Sequence, residues 1–143
     1  MSSAADAYHE LCCYTLTLGD PAFIHQHVAD AFTAQTASPD DNPIRLTFAL
    51  VGLYLHVERG FTGREAQLAH MKMGRQKQKW PRFKIPDDHG PIDATTVLAA
   101  PLEERDNMIH QWSRSVWSAY ADERGEIERL LAEYEITEAW SVR

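Results

Sequence analysis

The chain has 143 residues, 44% apolar and 24% charged, with a net charge of −7. That length predicts a single domain over residues 1–143, and the composition is that of a globular protein rather than a disordered or fibrous one. The acidic balance argues against wholesale nucleic-acid binding, and the two cysteines, adjacent at Cys12 and Cys13, cannot staple distant parts of a fold.

Adjacent thiols fit a reducing compartment. The opening MSSAADAYHE lacks the basic-then-apolar pattern of a secretory leader, so a cytoplasmic location is expected. In chain order, a first helix is predicted from about Ala4 to Thr17, where Tyr8, Leu11, Cys12 and Thr15 recur at helical spacing before Gly19. Asp20-Pro21 then gives a cap-plus-proline start for a second helix reaching about Thr36. Its apolar face holds Ile24, Val28, Ala31, Phe32 and Gln35. Ser38 to Pro43 is turn-rich and leads into the stretch that organises the rest.

That stretch is Asn42 to Gly60. From Leu46 to Val57 only Thr47, Gly52 and His56 interrupt large apolar residues and Ala49, the pattern of a helix enclosed by neighbours. Asn42 suits the cap, Pro43 the first turn and Gly60 the left-handed stop. At 1.5 Å per residue such a helix is about 25 Å long, and Arg45 with Glu58-Arg59 brackets it too closely for a membrane span. Thr62-Gly63-Arg64-Glu65 is a capping-box pattern opening a fourth helix expected to reach Gln78. Prolines 81, 86 and 91 predict an irregular loop, and Asp93 caps a short helix through Ala99. From Leu102 to Tyr134 a seven-residue rhythm predicts one long final helix, bent or split at Gly125. Nothing alternates with period two. The expectation is an all-α antiparallel bundle of four or five helices around a buried central helix.

Seven histidines carry most of the available chemistry. His25 and His27 diverge by about 200° on a helix and do not easily share an ion; His27 and Asp30 lie on one side. His56, deep in the central helix, and His110 on the final helix are the expected inward pair, with Asp106 four residues before His110 to orient a ring. Imidazole is a preferred ligand for zinc, iron and nickel, so His25, Asp30, His56 and His110 form the candidate set for a divalent metal. Local signatures such as His-Glu-x-x-His, His-x-x-x-His or Cys-x-x-Cys are missing, and the set rests on long-range folding. A bound water would then serve hydrolysis or transfer.

The other features read as structural first. Cys12 with His9 offers a thiolate–imidazole pair, but a packed thiol beside an exposed one is the simpler reading. His70 with Met71 and Met73 reads as packing and a surface imidazole. The segment KMGRQKQKWPRFK, Lys72 to Lys84, holds six of the fourteen basic residues and no acidic one; removing those six charges from the net −7 leaves −13 elsewhere. Interleaved cations and aromatics can grip phosphates or stack bases, and a solvated cationic helix end is the plainer account.

Three segments carry a resemblance: His25-x4-Asp30-Ala31-Phe32-x2-Gln35, the stretch from Leu53 ending Glu58-Arg59-Gly60, and Trp112-x4-Trp117. Together they resemble an uncharacterised bacterial family of small α-helical proteins, a domain of unknown function, over roughly Tyr8 to Leu131. The resemblance implies a helical fold and singles out His25, Asp30 and Gln35. With Glu58, Asp30 and Gln35 are the candidate ligand-binding residues. Relatives carry a Cys-Pro-x-Cys-like element where this chain has only Cys12-Cys13. The general shape is also similar to metal-binding four-helix proteins related to damage-inducible thiol transferases, whose pair of histidines four apart is missing here.

Two functions follow from different classes. One is an interior site for a divalent metal or a small polar ligand. The other is a non-enzymatic homo-oligomer or interaction protein using Trp112, Trp117 and the basic loop, with phosphate or nucleic-acid binding through residues 72–84 as a minor variant. No membrane partner is expected.

Overall fold

The computed structural model describes residues 3–75 and 79–142, and every regular element among them is helical. In order these are α1 Ala4–Thr17, α2 His25–Gln35, α3 Pro43–Arg59, α4 Gly63–Gly74, α5 Ala94–Ala99, α6 Arg105–Ala119 and α7 Arg124–Glu133. Short 3₁₀ turns occupy Leu102–Glu104, Ala121–Glu123 and Ala139–Val142.

Helix α3 is the centre. Nine of the ten positions from Leu46 to Leu55 are buried, and α2, α4, α6 and α7 pack around it. Its ends are those its residues dictate. Asn42 Oδ1 accepts from the Ile44 N–H at 3.2 Å, Pro43 starts the first turn, and Gly60 stops it at φ 69°. Helix α4 opens with the expected capping box: Glu65 N donates to Thr62 Oγ1 (3.1 Å) and Thr62 N to Glu65 Oε1 (3.0 Å). Ser3 and Asp6 cap α1 in the same way, and the Asp93 carboxylate caps α5.

Two boundaries depart from expectation. Asp20 does accept from backbone N–H groups, those of Ala22 (2.9 Å) and Ile24 (3.2 Å). It caps a turn rather than a helix. Phe23 then adopts a left-handed backbone, φ 56°, and α2 begins only at His25. The turn is anchored on the start of α4. Arg64 N donates to Ala22 O at 2.8 Å, and a side-chain carbon on Gly63 would stand 1.8 Å from Phe23 O, so only glycine fits there. The final helix breaks before Gly125, at Tyr120. That ring is buried and its hydroxyl donates to Ala34 O of α2 at 2.6 Å, while Gly125 sits inside α7. Tertiary anchoring, not the glycine, decides the break.

Among the described residues of the basic segment the aromatic rings are packed, while Arg75, Lys79, Arg82 and Lys84 are exposed. Trp80 sits edge-on to Phe48 with centroids 5.1 Å apart, and Phe83 is 8% exposed. Lys72 Nζ donates to Ser141 O (3.4 Å) and an Arg82 guanidinium N–H to Pro39 O (3.3 Å). The expected extension of the fourth helix to Gln78 lies outside the described residues. Among the described residues no helix is long and apolar enough to cross a membrane.

Candidate metal centre

Where α2, α3 and α6 meet, His27, His56 and His110 each present a ring nitrogen, and the three nitrogens lie within 4.8 Å of one another. Each helix contributes one imidazole. His27 is 3% exposed, whereas His56 and His110 are part-buried. His110 Nδ1 is 2.9 Å from His56 Nε2, and the His27 ring stacks on that of His56 with centroids 3.5 Å apart.

The hydrogen bonds fix the tautomers. His56 Nδ1 lies 3.0 Å from Phe61 O, a carbonyl that only accepts, so this nitrogen carries the proton. His56 Nε2 therefore presents its lone pair, and His110 Nδ1–H donates to it. A ring held by a backbone carbonyl through one nitrogen, with a lone pair at the other, is the arrangement of a metal-binding histidine, and an ion would take the place of the His110 proton once that proton moved to Nε2 of the same ring. Phe61 is placed for this by Gly60: the left-handed stop of α3 turns the chain back so that Phe61 N reaches Leu55 O (3.0 Å) and Phe61 O reaches the His56 ring.

All three rings are held neutral, the form that ligates. Burial lowers His27 to about 2, with His56 and His110 adding repulsion against a second proton. Burial lowers His56 to about 4, with the Phe61 carbonyl opposing and His110 and Arg114 reinforcing the change. Burial also lowers His110, helped by Arg114 and opposed by Asp106. With metal–nitrogen distances of about 2.1 Å, a tetrahedral ion needs nitrogens about 3.4 Å apart. The observed spread of 2.9 to 4.8 Å brackets that value. Coordination also requires His27 to swing out of its stack on His56, because parallel rings aim their lone pairs alongside rather than at one point.

The centre opens into a pocket of about 350 Å³ walled by Ile24, Phe61, Gly60 and Gly63, with Asp106 at its edge. Asp106 Oδ1 accepts from the Tyr14 hydroxyl at 3.1 Å, over whose ring the Arg105 guanidinium sits at 4.8 Å. The carboxylate thus faces the pocket from α6 and is steadied from α1. It holds the tyrosine, not a ring nitrogen of His110.

Of the residues singled out from sequence, His56 and His110 come together, and His25 and Asp30 do not join them. His25 Nδ1 instead hydrogen-bonds with Thr15 Oγ1 at 2.9 Å, tying α2 to α1. The reason is the delayed start of α2. Its inward stripe is His27, Val28, Ala31 and Ala34, which puts His27 inside and His25 against α1. The signal was present: His27 precedes Ala31 by four and Ala34 by seven. Asp30 lies in the same α2–α3 seam, with Oδ1 accepting from Gln26 Nε2 at 3.0 Å and the carboxyl against Gly52. Gln35 and Glu58 clamp helices. Gln35 accepts from Trp112 Nε1 (3.0 Å) and donates to Ile92 O (2.7 Å). Glu58 accepts from Trp117 Nε1 (2.7 Å) and pairs with Arg124 (2.7 Å). Both tryptophans are buried, so neither offers a contact surface. Burial raises the Cys12 thiol above its usual range, the opposite of an activated nucleophile. His70 is no surface imidazole, since Nε2 donates to Phe48 O at 2.6 Å.

The motif residues Gln35, Glu58, Trp112 and Trp117 are therefore one another's partners across three helices. No curated protein and no solved structure matches the chain. A family model does, over residues 3–121, the span that contains α1 to α6, all three histidines and both tryptophan clamps. On that match the chain belongs to a family described as a family of unknown function, DUF5946.

Proposed function

We propose that this protein binds one divalent transition metal ion through His27, His56 and His110, in a site open on one side to the pocket. The observation that carries the reading is the convergence of three imidazoles from three separate helices, one of them oriented by the Phe61 carbonyl. Three neutral nitrogen ligands with no thiolate suit zinc, iron or nickel. Three protein ligands beside an accessible pocket are the pattern of a catalytic rather than a structural site. A metal ion there supplies Lewis-acid activation of water or of a carbonyl or phosphoryl group.

The chain's own residues would do the rest. Phe61 and Ile24 exclude water from one wall and favour an apolar group beside the ion. Asp106, held by Tyr14, stands where it can accept a proton or position a polar group. The single domain over residues 1–143 and the cytoplasmic setting belong to the same reading. The test is elemental analysis of tag-free protein after reconstitution with zinc, iron(II) and nickel separately. About one ion per chain is expected with at least one metal, falling by tenfold or more in His110→Ala. Stoichiometry that stays far below one for all three metals, or that is unchanged in His110→Ala, overturns it.

A further inference from the structure

A second recess, of about 230 Å³, lies between α2, α3 and α4, separate from the one at the three histidines. Its lining includes Gln26, Asp30, Thr33, Arg45, Phe48 and His70. Asp30 is only 4% exposed, and its Oδ2 has no hydrogen-bond partner among the described residues. A buried carboxyl oxygen left without a donor costs free energy that the fold does not otherwise recover. The backbone makes room for it: a side-chain carbon on Gly52 would sit 1.9 Å from Asp30 Oδ2 and 3.2 Å from His70 Nε2. His70 is committed to Phe48 O, and its ring lies against that of Phe48 with centroids 5.2 Å apart. At the rim Arg45 is exposed, and its guanidinium makes no hydrogen bond or ion pair among the described residues.

A buried acid lacking a donor, a free guanidinium at the mouth and an aromatic wall between them define a ligand by complementarity. We propose that this recess binds a small zwitterion of the amino-acid class, its ammonium taken by Asp30 and its carboxylate by Arg45, with the side chain against Phe48. The guanidinium offers a paired-donor fork that matches a carboxylate. The ammonium brings three donors to a carboxyl that has one oxygen to spare. Gln26, now closing over Asp30 Oδ1, would turn aside to admit it. Asp30 and Arg45 line the same recess, which is what lets one small ligand reach both.

The site is independent of the metal reading, and its test is run in EDTA so that chelation is not mistaken for binding. Calorimetry and thermal melts would use L-alanine, L-leucine and L-threonine, each beside its N-acetyl and its amide form. At least one parent amino acid is expected to bind and to raise Tm by about 3 °C at tenfold over Kd. Its N-acetyl and amide forms should each bind at least tenfold more weakly. Arg45→Gln, a surface change that leaves the core intact, should weaken the parent at least tenfold and leave the amide unaffected. Asp30→Asn should do the same for the parent and leave the N-acetyl form unaffected. No heat with any of the three amino acids at millimolar concentration overturns the proposal. So does equal binding of parent and N-acetyl forms, or parent affinity unchanged in Arg45→Gln.

Discussion

Gly52→Ala is the sharpest probe of the α2–α3 seam, because two physical effects of opposite sign compete at one atom. Alanine in a helix interior is favoured over glycine by about 1 kcal/mol. Against this, the new carbon would meet Asp30 Oδ2 at 1.9 Å and Asp30 Cγ at 2.7 Å, where a carbon–oxygen contact normally sits at about 3.3 Å or more. The Asp30 carboxyl must retreat by over 1 Å inside a packed seam, and forced repacking of that kind costs about 1–3 kcal/mol. With displacement of the Gln26 hydrogen bond added, a net loss of about 1–2 kcal/mol is expected, a fall in Tm of roughly 3–6 °C. Urea unfolding of four proteins decides it: wild type, Gly52→Ala, Asp30→Ala and the double variant. In the Asp30→Ala background the severe contact is gone and only the tight one with His70 Nε2 at 3.2 Å remains, so Gly52→Ala should turn neutral to stabilising, by up to about 1 kcal/mol, giving a coupling of about 1–3 kcal/mol. A Gly52→Ala protein more stable than wild type, or an effect of Gly52→Ala that is the same in both backgrounds, refutes the reasoning.

Other predictions touch the remaining features. Zinc at saturating concentration should raise the Tm of wild type and leave that of His56→Leu unchanged, as read by differential scanning calorimetry. Metal-free His56→Leu should melt within about 4 °C of wild type, because the leucine replaces a part-buried imidazole at the cost of one hydrogen bond to Phe61 O. Tyr120→Phe removes the buried hydroxyl that donates to Ala34 O at 2.6 Å and should cost about 1–2 kcal/mol in urea unfolding. The pH dependence of stability should carry a signature of His70, which burial lowers to about 4 with the Phe48 carbonyl opposing. For a base depressed in the folded state, stability is complete above about pH 6.5 and is lost as pH falls towards 4, by up to about 3 kcal/mol. Asp30, raised by burial against the Gln26 hydrogen bond, acts in the other sense: its contribution is complete below about pH 4 and declines as pH rises. Denaturation of His70→Gln between pH 4 and 6.5 should show a flatter profile than wild type.

Local grammar was legible in the sequence wherever a short motif controls a backbone outcome. Asn42-Pro43, Gly60, Thr62 with Glu65, and Asp93 all fix helix ends through contacts within a few residues, and the structure places each where those contacts require. The start of α2 was not legible. Asp20-Pro21 is a sound local cap signal, and it is overridden by the contact of residues 22–23 with the start of α4, some forty residues away in sequence. That displacement exchanges His25 for His27 in the interior. The break after Ala119 was missed for the same reason, since Tyr120 is held by a carbonyl of α2 and no local pattern announces it. His56 could be read because it interrupts an apolar run, and His110 was read only as its expected inward partner from the final helix. His27 could have been, had the stripe been counted back from Ala31 and Ala34 rather than forward from Pro21.

The two buried polar residues on the inward side of α2 bear on function jointly. His27 and Asp30, 3% and 4% exposed, interrupt a stripe otherwise made of Val28, Ala31 and Ala34. A seam that served only to hold helices together would be filled more stably with hydrocarbon, since each buried polar group costs free energy unless it is paired. Neither is fully paired: His27 contributes only ring contacts among the described residues, and Asp30 leaves one oxygen without a donor. Three residues apart on a helix, the two side chains point about 60° from each other, which carries His27 towards α6 and Asp30 towards α4. Each ends beside a separate recess, the first with two further imidazoles and the second with an unpaired guanidinium at its mouth. An unpaired polar group opening onto a recess is the configuration in which a ligand, rather than the fold, supplies the missing partner. That is why the destabilising positions on α2 are also those at which ligands are proposed.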